Sequence, residues 1–181
     1  VRTLVLGGIR SGKSNWAESV IAESRTVSDT VTYIATASPA EDDSAWQQRI
    51  DAHRRRRPGS WHTLETRDIA TQLRADPHNP TLVDDLGNWL TATLDHRGWG
   101  DESVDADVDD LVAAVRTFPS PLVLVSPEVG LSVVPATSAG RRFADELGNL
   151  NQRLADCCER VTLVVAGQPL VVKPAAVQES C

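Results

Sequence analysis

An apolar run, Thr3-Leu4-Val5-Leu6, leads directly into Gly7-Gly8-Ile9-Arg10-Ser11-Gly12-Lys13-Ser14, and an amphipathic stretch follows. Glycines at both ends of a short turn, then Lys and Ser, are the residue types a phosphate cradle needs. Glycine lets backbone N–H groups turn inward toward phosphate oxygens, and the following helix adds the positive end of its dipole. Lys13 then supplies a point charge to the β- and γ-phosphates, and the Ser14 hydroxyl is placed to ligate Mg²⁺. A glycine-rich turn that binds nothing is the bland alternative, and it leaves the flanking strand and helix patterns unexplained. The spacing points to a nucleoside triphosphate and is silent on what happens to it.

Two further places carry chemistry. Thr81-Leu82-Val83-Asp84-Asp85 is an apolar strand ending in acid. Asp84 fits the aspartate that holds Mg²⁺ in nucleotide-hydrolysing folds, and Asp85 fits the N-cap of a following helix. His53 stands immediately before Arg54, Arg55, Arg56 and Arg57, on a helical face shared with Trp46 and Ile50. A lone histidine on an apolar face is ordinarily a packed core residue, and cations at a helix end suit its dipole. Beside four guanidinium groups it also fits a nucleophile toward phosphorus, because arginine matches phosphate oxygens bidentately and opposes developing negative charge. The same cations disfavour protonation of the imidazole and so favour its nucleophilic form.

These residues need a scaffold. Short apolar runs over 3–6, 31–35, 81–83, 122–125 and 161–165 are bounded by Gly, Pro, Asp or Ser, as buried strands are. Helical periodicity follows Gly12 and recurs over 44–56, 104–118 and 138–158. Strands alternating with helices predict a mostly parallel sheet covered on both faces, a three-layer α/β fold. Ala166-Gly167-Gln168-Pro169 predicts a terminal hairpin and an antiparallel edge strand. Residues 1–173 are expected to form one domain and 174–181 a tail. The acid-rich stretch 95–110 reads as a solvated loop and helix start.

Composition narrows the classes. The chain has 181 residues, 41% hydrophobic and 24% charged, with 18 Lys+Arg against 25 Asp+Glu and a net charge of −7. That balance argues against nucleic-acid binding as the main role. No run approaches a membrane span, and no basic segment followed by an apolar one opens the chain, so a cytoplasmic protein without membrane insertion is expected. Cys157, Cys158 and Cys181 make neither a disulfide framework nor a metal-ligand spacing.

Several segments, in order, extend the phosphate loop into a larger pattern. They are Tyr33-Ile34-Ala35-Thr36-Ala37, Arg49-Ile50-x-x-His53 with Arg57-Pro58 and Trp61, Leu82-Val83-Asp84-Asp85, and Val125-Ser126-Pro127-Glu128-Val129-Gly130 with Val134-Pro135. Leu147-Gly148-x-x-Asn151-Gln152-x-Leu154-Ala155 and Val164-Val165-Ala166-Gly167 complete the set. The ordered set resembles the bifunctional adenosylcobinamide kinase/adenosylcobinamide-phosphate guanylyltransferases of cobalamin biosynthesis, over roughly residues 2–173.

The resemblance implies a P-loop NTPase fold of RecA-like type, assembled as a homotrimer. It implies phosphorylation of the aminopropanol hydroxyl of adenosylcobinamide by ATP or GTP. GMP from GTP is then carried on a histidine to adenosylcobinamide phosphate, giving adenosyl-GDP-cobinamide. Lys13 and His53 take the catalytic positions. The nucleotide contacts fall on Gly7, Gly8, Ile9, Arg10, Ser11, Gly12, Lys13, Ser14, Thr36, Ala37, Ser38, Arg54, Arg55, Arg56, Arg57, Glu65 and Asp84, with Ser14 and Asp84 on Mg²⁺. Pro127 departs from the asparagine of the family pattern; it removes a backbone donor and restricts Ser126. On the residues alone, a P-loop kinase of another small molecule and a nucleotide-dependent switch or assembly ATPase stay open.

Overall fold

The computed structural model describes residues 1–24, 30–36, 58–100 and 102–174. Its strands are β1 (Arg2–Gly7), β2 (Thr32–Ala35), β3 (His62–Glu65), β4 (Thr81–Asp84), β5 (Leu122–Pro127), β6 (Arg160–Val165) and β7 (Gln168–Lys173). The described helices are α1 (Lys13–Ser24), α2 (Ile69–Ala75), α3 (Leu86–Arg97), α4 (Asp105–Thr117) and α5 (Ser138–Cys157). The strands make one seven-stranded sheet in the order β3-β2-β4-β5-β1-β6-β7. Every pairing is parallel except β6 with β7.

Alternation along the strands divides the core between two faces. Leu4, Ile34, Val83, Leu122 and Leu124 face a cluster closed by residues of α2, α3, α4 and α5. Val5, Tyr33, Leu82, Val123 and Val125 face the other side, against Ala17 and Ile21 of α1 and against Trp61. These are the three layers that apolar runs separated by helical stretches predict.

The five apolar runs are β1, β2, β4, β5 and β6, and the terminal hairpin is β6–β7. β3 and α2 were not expected, and α3 was expected only as the helix that Asp85 caps. β3 is an edge strand with three exposed residues out of four, so burial leaves no alternating signature in it. α3 carries Gly87, Asn88, Thr91 and Thr93, poor helix formers held in place by the burial of Leu86, Trp89, Leu90 and Leu94. The acid-rich stretch is also more structured than a solvated loop. Arg97 pairs with Asp107 at 3.1 Å, Arg74 with Asp110 at 2.5 Å and Arg153 with Asp109 at 2.6 Å, so acids of α4 meet cations of three neighbouring helices. The helix expected over 44–56 lies outside the described residues, as does the tail beyond residue 174. No described helix is long and apolar enough to cross a membrane.

Candidate nucleotide site

The loop between β1 and α1 is built around close backbone approaches. A methyl group on Gly7 would lie 2.4 Å from Ser11 Oγ and 2.8 Å from the carbonyl of Val164, so no side chain fits there. Arg10 and Gly12 have positive φ, 56° and 91°, the left-handed turns that bring successive amides to one side. Within the loop, Ser11 N donates to Gly8 O at 3.3 Å and Lys13 N donates to Ser11 Oγ at 3.3 Å. Lys13 Nζ donates to Gly8 O at 3.4 Å, arching the ammonium back over the cradle.

Asp84 sits at the C-terminal end of β4, with β5 between it and the phosphate-loop strand. Ser14 Oγ nevertheless reaches Asp84 Oδ1 at 3.3 Å, because α1 lies against β4 and β5 as well as against its own strand. Tyr33 Oη donates to Asp84 Oδ2 at 2.8 Å. Both carboxylate oxygens are thus engaged by hydroxyl groups, one from α1 and one from β2. A serine hydroxyl and one carboxylate beside a phosphate cradle form an all-oxygen donor set, the kind Mg²⁺ takes when phosphates complete its shell. Among the described residues no cluster of three or more His, Cys, Asp or Glu side chains exists that could hold a metal without phosphate.

Asp85 caps α3, its Oδ1 accepting from Asn88 N at 2.9 Å. It is more than a cap, because it also lines the phosphate-loop cleft. Burial and the neighbouring Asp84 charge push its pKa up to about 6, opposed by the Asn88 amide and Lys13. The cleft has a volume of about 660 Å³; its floor is the loop over residues 9–15, and its walls are Asp85, Asn88, Pro127, Glu128 and Val129.

Thr36 is buried and turned inward. Its hydroxyl donates to Asp85 O at 2.6 Å and its amide to Asp84 O at 3.2 Å, so it holds the backbone of the two aspartates. Glu65 is level with Ala35, as Asp84 is, which places it two strands from Asp84 along the same sheet edge. Ala37, Ser38, His53, Arg54, Arg55, Arg56 and Arg57 lie outside the described residues.

Sequence reading gave Tyr33, Val129 and Gly167 no role at the site, and it marked Pro127 as a departure without placing it in the cleft. Tyr33 had a signal, since it is the one tyrosine in the chain and stands on a strand among aliphatics. Pro127 ends β5 opposite Gly7, where its missing N–H costs little because the adjacent Glu128 amide donates to Gly7 O at 3.1 Å. Asn151 of α5 braces the same strand end, accepting from Ser126 Oγ at 2.6 Å and donating to Pro127 O at 3.1 Å.

The family described as cobinamide kinase / cobinamide phosphate guanyltransferase matches residues 3–172. The chain is 42% identical over 176 residues to the bifunctional adenosylcobalamin biosynthesis protein CobP of Pseudomonas aeruginosa, covering 96% of this chain and 98% of that one. It is 35% identical over 184 residues to the protein CobU of the same description from Escherichia coli, covering 94% and 98%. Among solved structures, an ATPase from the type III secretion system of pathogenic bacteria superposes with a TM-score of 0.55 at 13% identity, over 90% of this chain and 50% of that one. A Pyrococcus horikoshii protein superposes with a TM-score of 0.53 at 7% identity, over 98% and 88%. At such identities these structures attest the P-loop NTPase-like fold alone.

Proposed function

The chain belongs to the cobinamide kinase / cobinamide phosphate guanyltransferase family, and from that premise we infer that it is a bifunctional enzyme of cobalamin biosynthesis. It phosphorylates adenosylcobinamide with ATP or GTP. It then transfers GMP from GTP to adenosylcobinamide phosphate, giving adenosyl-GDP-cobinamide. The observation that carries the kinase half is the reach of Ser14 Oγ to Asp84 Oδ1 beneath a glycine-built phosphate loop.

For phosphorylation, the loop amides and Lys13 hold the triphosphate while the substrate hydroxyl approaches in line. Catalysis of this step is mainly positioning and charge stabilisation. Ser14 and Asp84 would hold Mg²⁺, which would offset the negative charge that builds on the phosphates. Tyr33 fixes the Asp84 carboxylate from behind. Arg10 and Glu65 are assigned to nucleotide contacts.

For guanylyl transfer, a nitrogen of His53 attacks the α-phosphorus of GTP. The N–P bond forms as the α–β P–O bond breaks, and pyrophosphate leaves. A phosphate oxygen of adenosylcobinamide phosphate then attacks the same phosphorus and frees the imidazole. Arg54, Arg55, Arg56 and Arg57 oppose the negative charge at both steps. The proposal includes residues 1–173 acting as one domain, a homotrimeric assembly and a cytoplasmic location.

The test is incubation of wild type and His53→Ala with Mg²⁺ and GTP labelled at the α-phosphorus, followed by acid and alkali washes. Acid-labile, alkali-stable label on wild type alone, with adenosylcobinamide phosphorylation retained in the variant, supports both halves. A folded, GTP-binding wild type that takes no label overturns the transferase half.

A further inference from the structure

The cleft is large enough for a nucleotide and little more, since pockets of ~300–1,000 Å³ each enclose one ligand of that size. The acceptor in the proposed kinase reaction is a macrocycle bearing its hydroxyl on a short aminopropanol arm. The arm must enter the cleft far enough to meet the γ-phosphate near Lys13, so the ring has to rest on the cleft's rim.

One side of that rim differs from the rest of the surface. Ile9, at the tip of the phosphate loop, is 87% exposed, and Leu131, Val133 and Val134 are 82%, 92% and 74% exposed. Ile9 and Val129 both line the cleft, and the chain runs on from Val129 into these residues at the end of β5, the strand beside β1. The stretch 129–140 carries no charged residue, in a chain where charged residues are 24%. It is also anchored to the site. Glu128 N donates to Gly7 O at 3.1 Å, Ser132 Oγ donates to Val129 O at 2.8 Å, and Arg141 donates to the carbonyl of Pro135 at 3.1 Å. Large aliphatic side chains held out into water on a braced loop mark a surface that is covered in use.

A second exposed apolar group, Leu170, Val171 and Val172, lies on the edge strand β7, two strands from the phosphate-loop strand. Unlike Ile9 and Val129, none of these three residues lines the cleft. Continuity with the cleft therefore singles out the loop after β5.

We propose that Leu131, Val133 and Val134, with Ile9, form the platform on which the corrin ring rests while its aminopropanol hydroxyl enters the phosphate-loop cleft. This rests on the kinase reading above. The methyl-rich edge and flat faces of the ring cover the aliphatic side chains, and its neutral amide arms suit a loop without charged residues. The platform acts on the acceptor and not on the nucleotide, so it sets which alcohol is phosphorylated.

The test is the double variant Val133→Asp/Val134→Asp, beside the conservative Val133→Ile/Val134→Ile. Both positions are so exposed that folding is little affected. Corrinoid binding is read by ultrafiltration, from the ring's own visible absorbance, with a non-hydrolysable ATP analogue present. Steady-state kinetics give separate KM values for adenosylcobinamide and ATP, with N-acetyl-1-amino-2-propanol as an acceptor that lacks the ring. The acidic variant is expected to lose about tenfold or more in corrinoid affinity, the cost of burying unpaired carboxylates against an apolar ring. Its ATP KM and its slow turnover of the ringless acceptor stay at wild-type levels, and the isoleucine variant binds as wild type does. Unchanged corrinoid affinity in the acidic variant overturns the platform and leaves the kinase reading intact. Loss of corrinoid binding that tracks a fall in sedimentation mass also overturns it, in favour of a contact between copies of the chain. A wild type that binds ATP but neither retains nor phosphorylates the corrinoid overturns the kinase reading itself.

Discussion

The amide of Gly167 donates to the carbonyl of Ser11 across 2.7 Å, tying the turn of the β6–β7 hairpin to the middle of the phosphate loop. The two backbones touch a second time, since a methyl group on Gly12 would lie 3.1 Å from Gly167 Cα. Ala166 and Gly167 have φ of 50° and 77°, the consecutive left-handed pair of a tight two-residue hairpin turn. The edge strand that completes the sheet thus also braces the loop proposed to hold phosphate.

Gly167→Val is expected to weaken nucleotide binding by roughly tenfold, because a β-branched residue at positive φ reshapes the turn and withdraws the amide from Ser11. Gly167→Asn, which tolerates that conformation, is expected to stay within about threefold of wild type. Titration with a fluorescent nucleotide measures both, with circular dichroism confirming that each variant is folded. Equal losses in the two variants would show that side-chain bulk, not backbone conformation, matters at the turn.

Tyr33→Phe removes the hydroxyl that donates to Asp84 Oδ2 and keeps the ring, which packs on Trp61 at a centroid distance of 6.3 Å. A hydrogen bond to a charged group is worth about 1.5 kcal/mol or more, which corresponds to a loss of roughly tenfold in kcat/KM if Asp84 loosens. The Mg²⁺ concentration for half-maximal kinase activity should rise, whereas a purely structural role would lower Tm alone.

Gly87 lies under Pro127, where an added methyl group would come within 2.7 Å of the proline Cγ and 3.1 Å of its Cδ. Alanine gains about 1 kcal/mol of helix propensity but overpacks by about 1–3 kcal/mol. Gly87→Ala is therefore expected to lower stability by about 1 kcal/mol. Pairing it with Pro127→Ala should recover most of that loss. Urea unfolding of both single variants and the double variant gives the coupling energy directly.

Arg2 and Glu159 join the first residues of β1 to the turn before β6, with Arg2 Nε donating to Glu159 Oε1 at 3.1 Å. The Arg2 guanidinium pulls the Glu159 carboxyl down to about 2, from an ordinary 4.5. A carboxyl depressed in the folded state stabilises fully above its unfolded pKa and loses that contribution as pH falls from about 4.5 toward 2. The pair is partly exposed, so solvent screening limits its worth to about 1 kcal/mol. Glu159→Gln should cost about that much in urea unfolding at pH 7, and the difference should shrink below pH 4.

Much of the scaffold was legible because its signals are local. A parallel strand buried on both faces must be a short apolar run, and a cap must sit where a helix begins; β1, β4, β5 and Asp85 follow from these rules. β3 escaped because His62, Thr63 and Glu65 are exposed on an edge strand, so solvent imposes no pattern on them. The extent of α3 was not legible beyond its cap, because its helicity comes from burying Trp89, Leu90 and Leu94, with the helix packed on α5 and β5, and not from propensity.

The chemistry proposed for the phosphate loop rests on residue types and spacing that sequence alone determines. Gly7, Gly12, Lys13 and Ser14 lie close together in the chain, and their backbone and charge requirements are met within one turn. Their partners depend on strand order. Asp84 is 70 residues from Ser14, Tyr33 is 51 residues from Asp84, and Gly167 is far beyond both in the chain. Placing β5 between β1 and β4, β2 beyond β4, and β6 on the far side of β1 brings these residues to one edge of the sheet. Packing of distant segments decides that order, because the inner strands must bury both faces, and no spacing within any one segment encodes it.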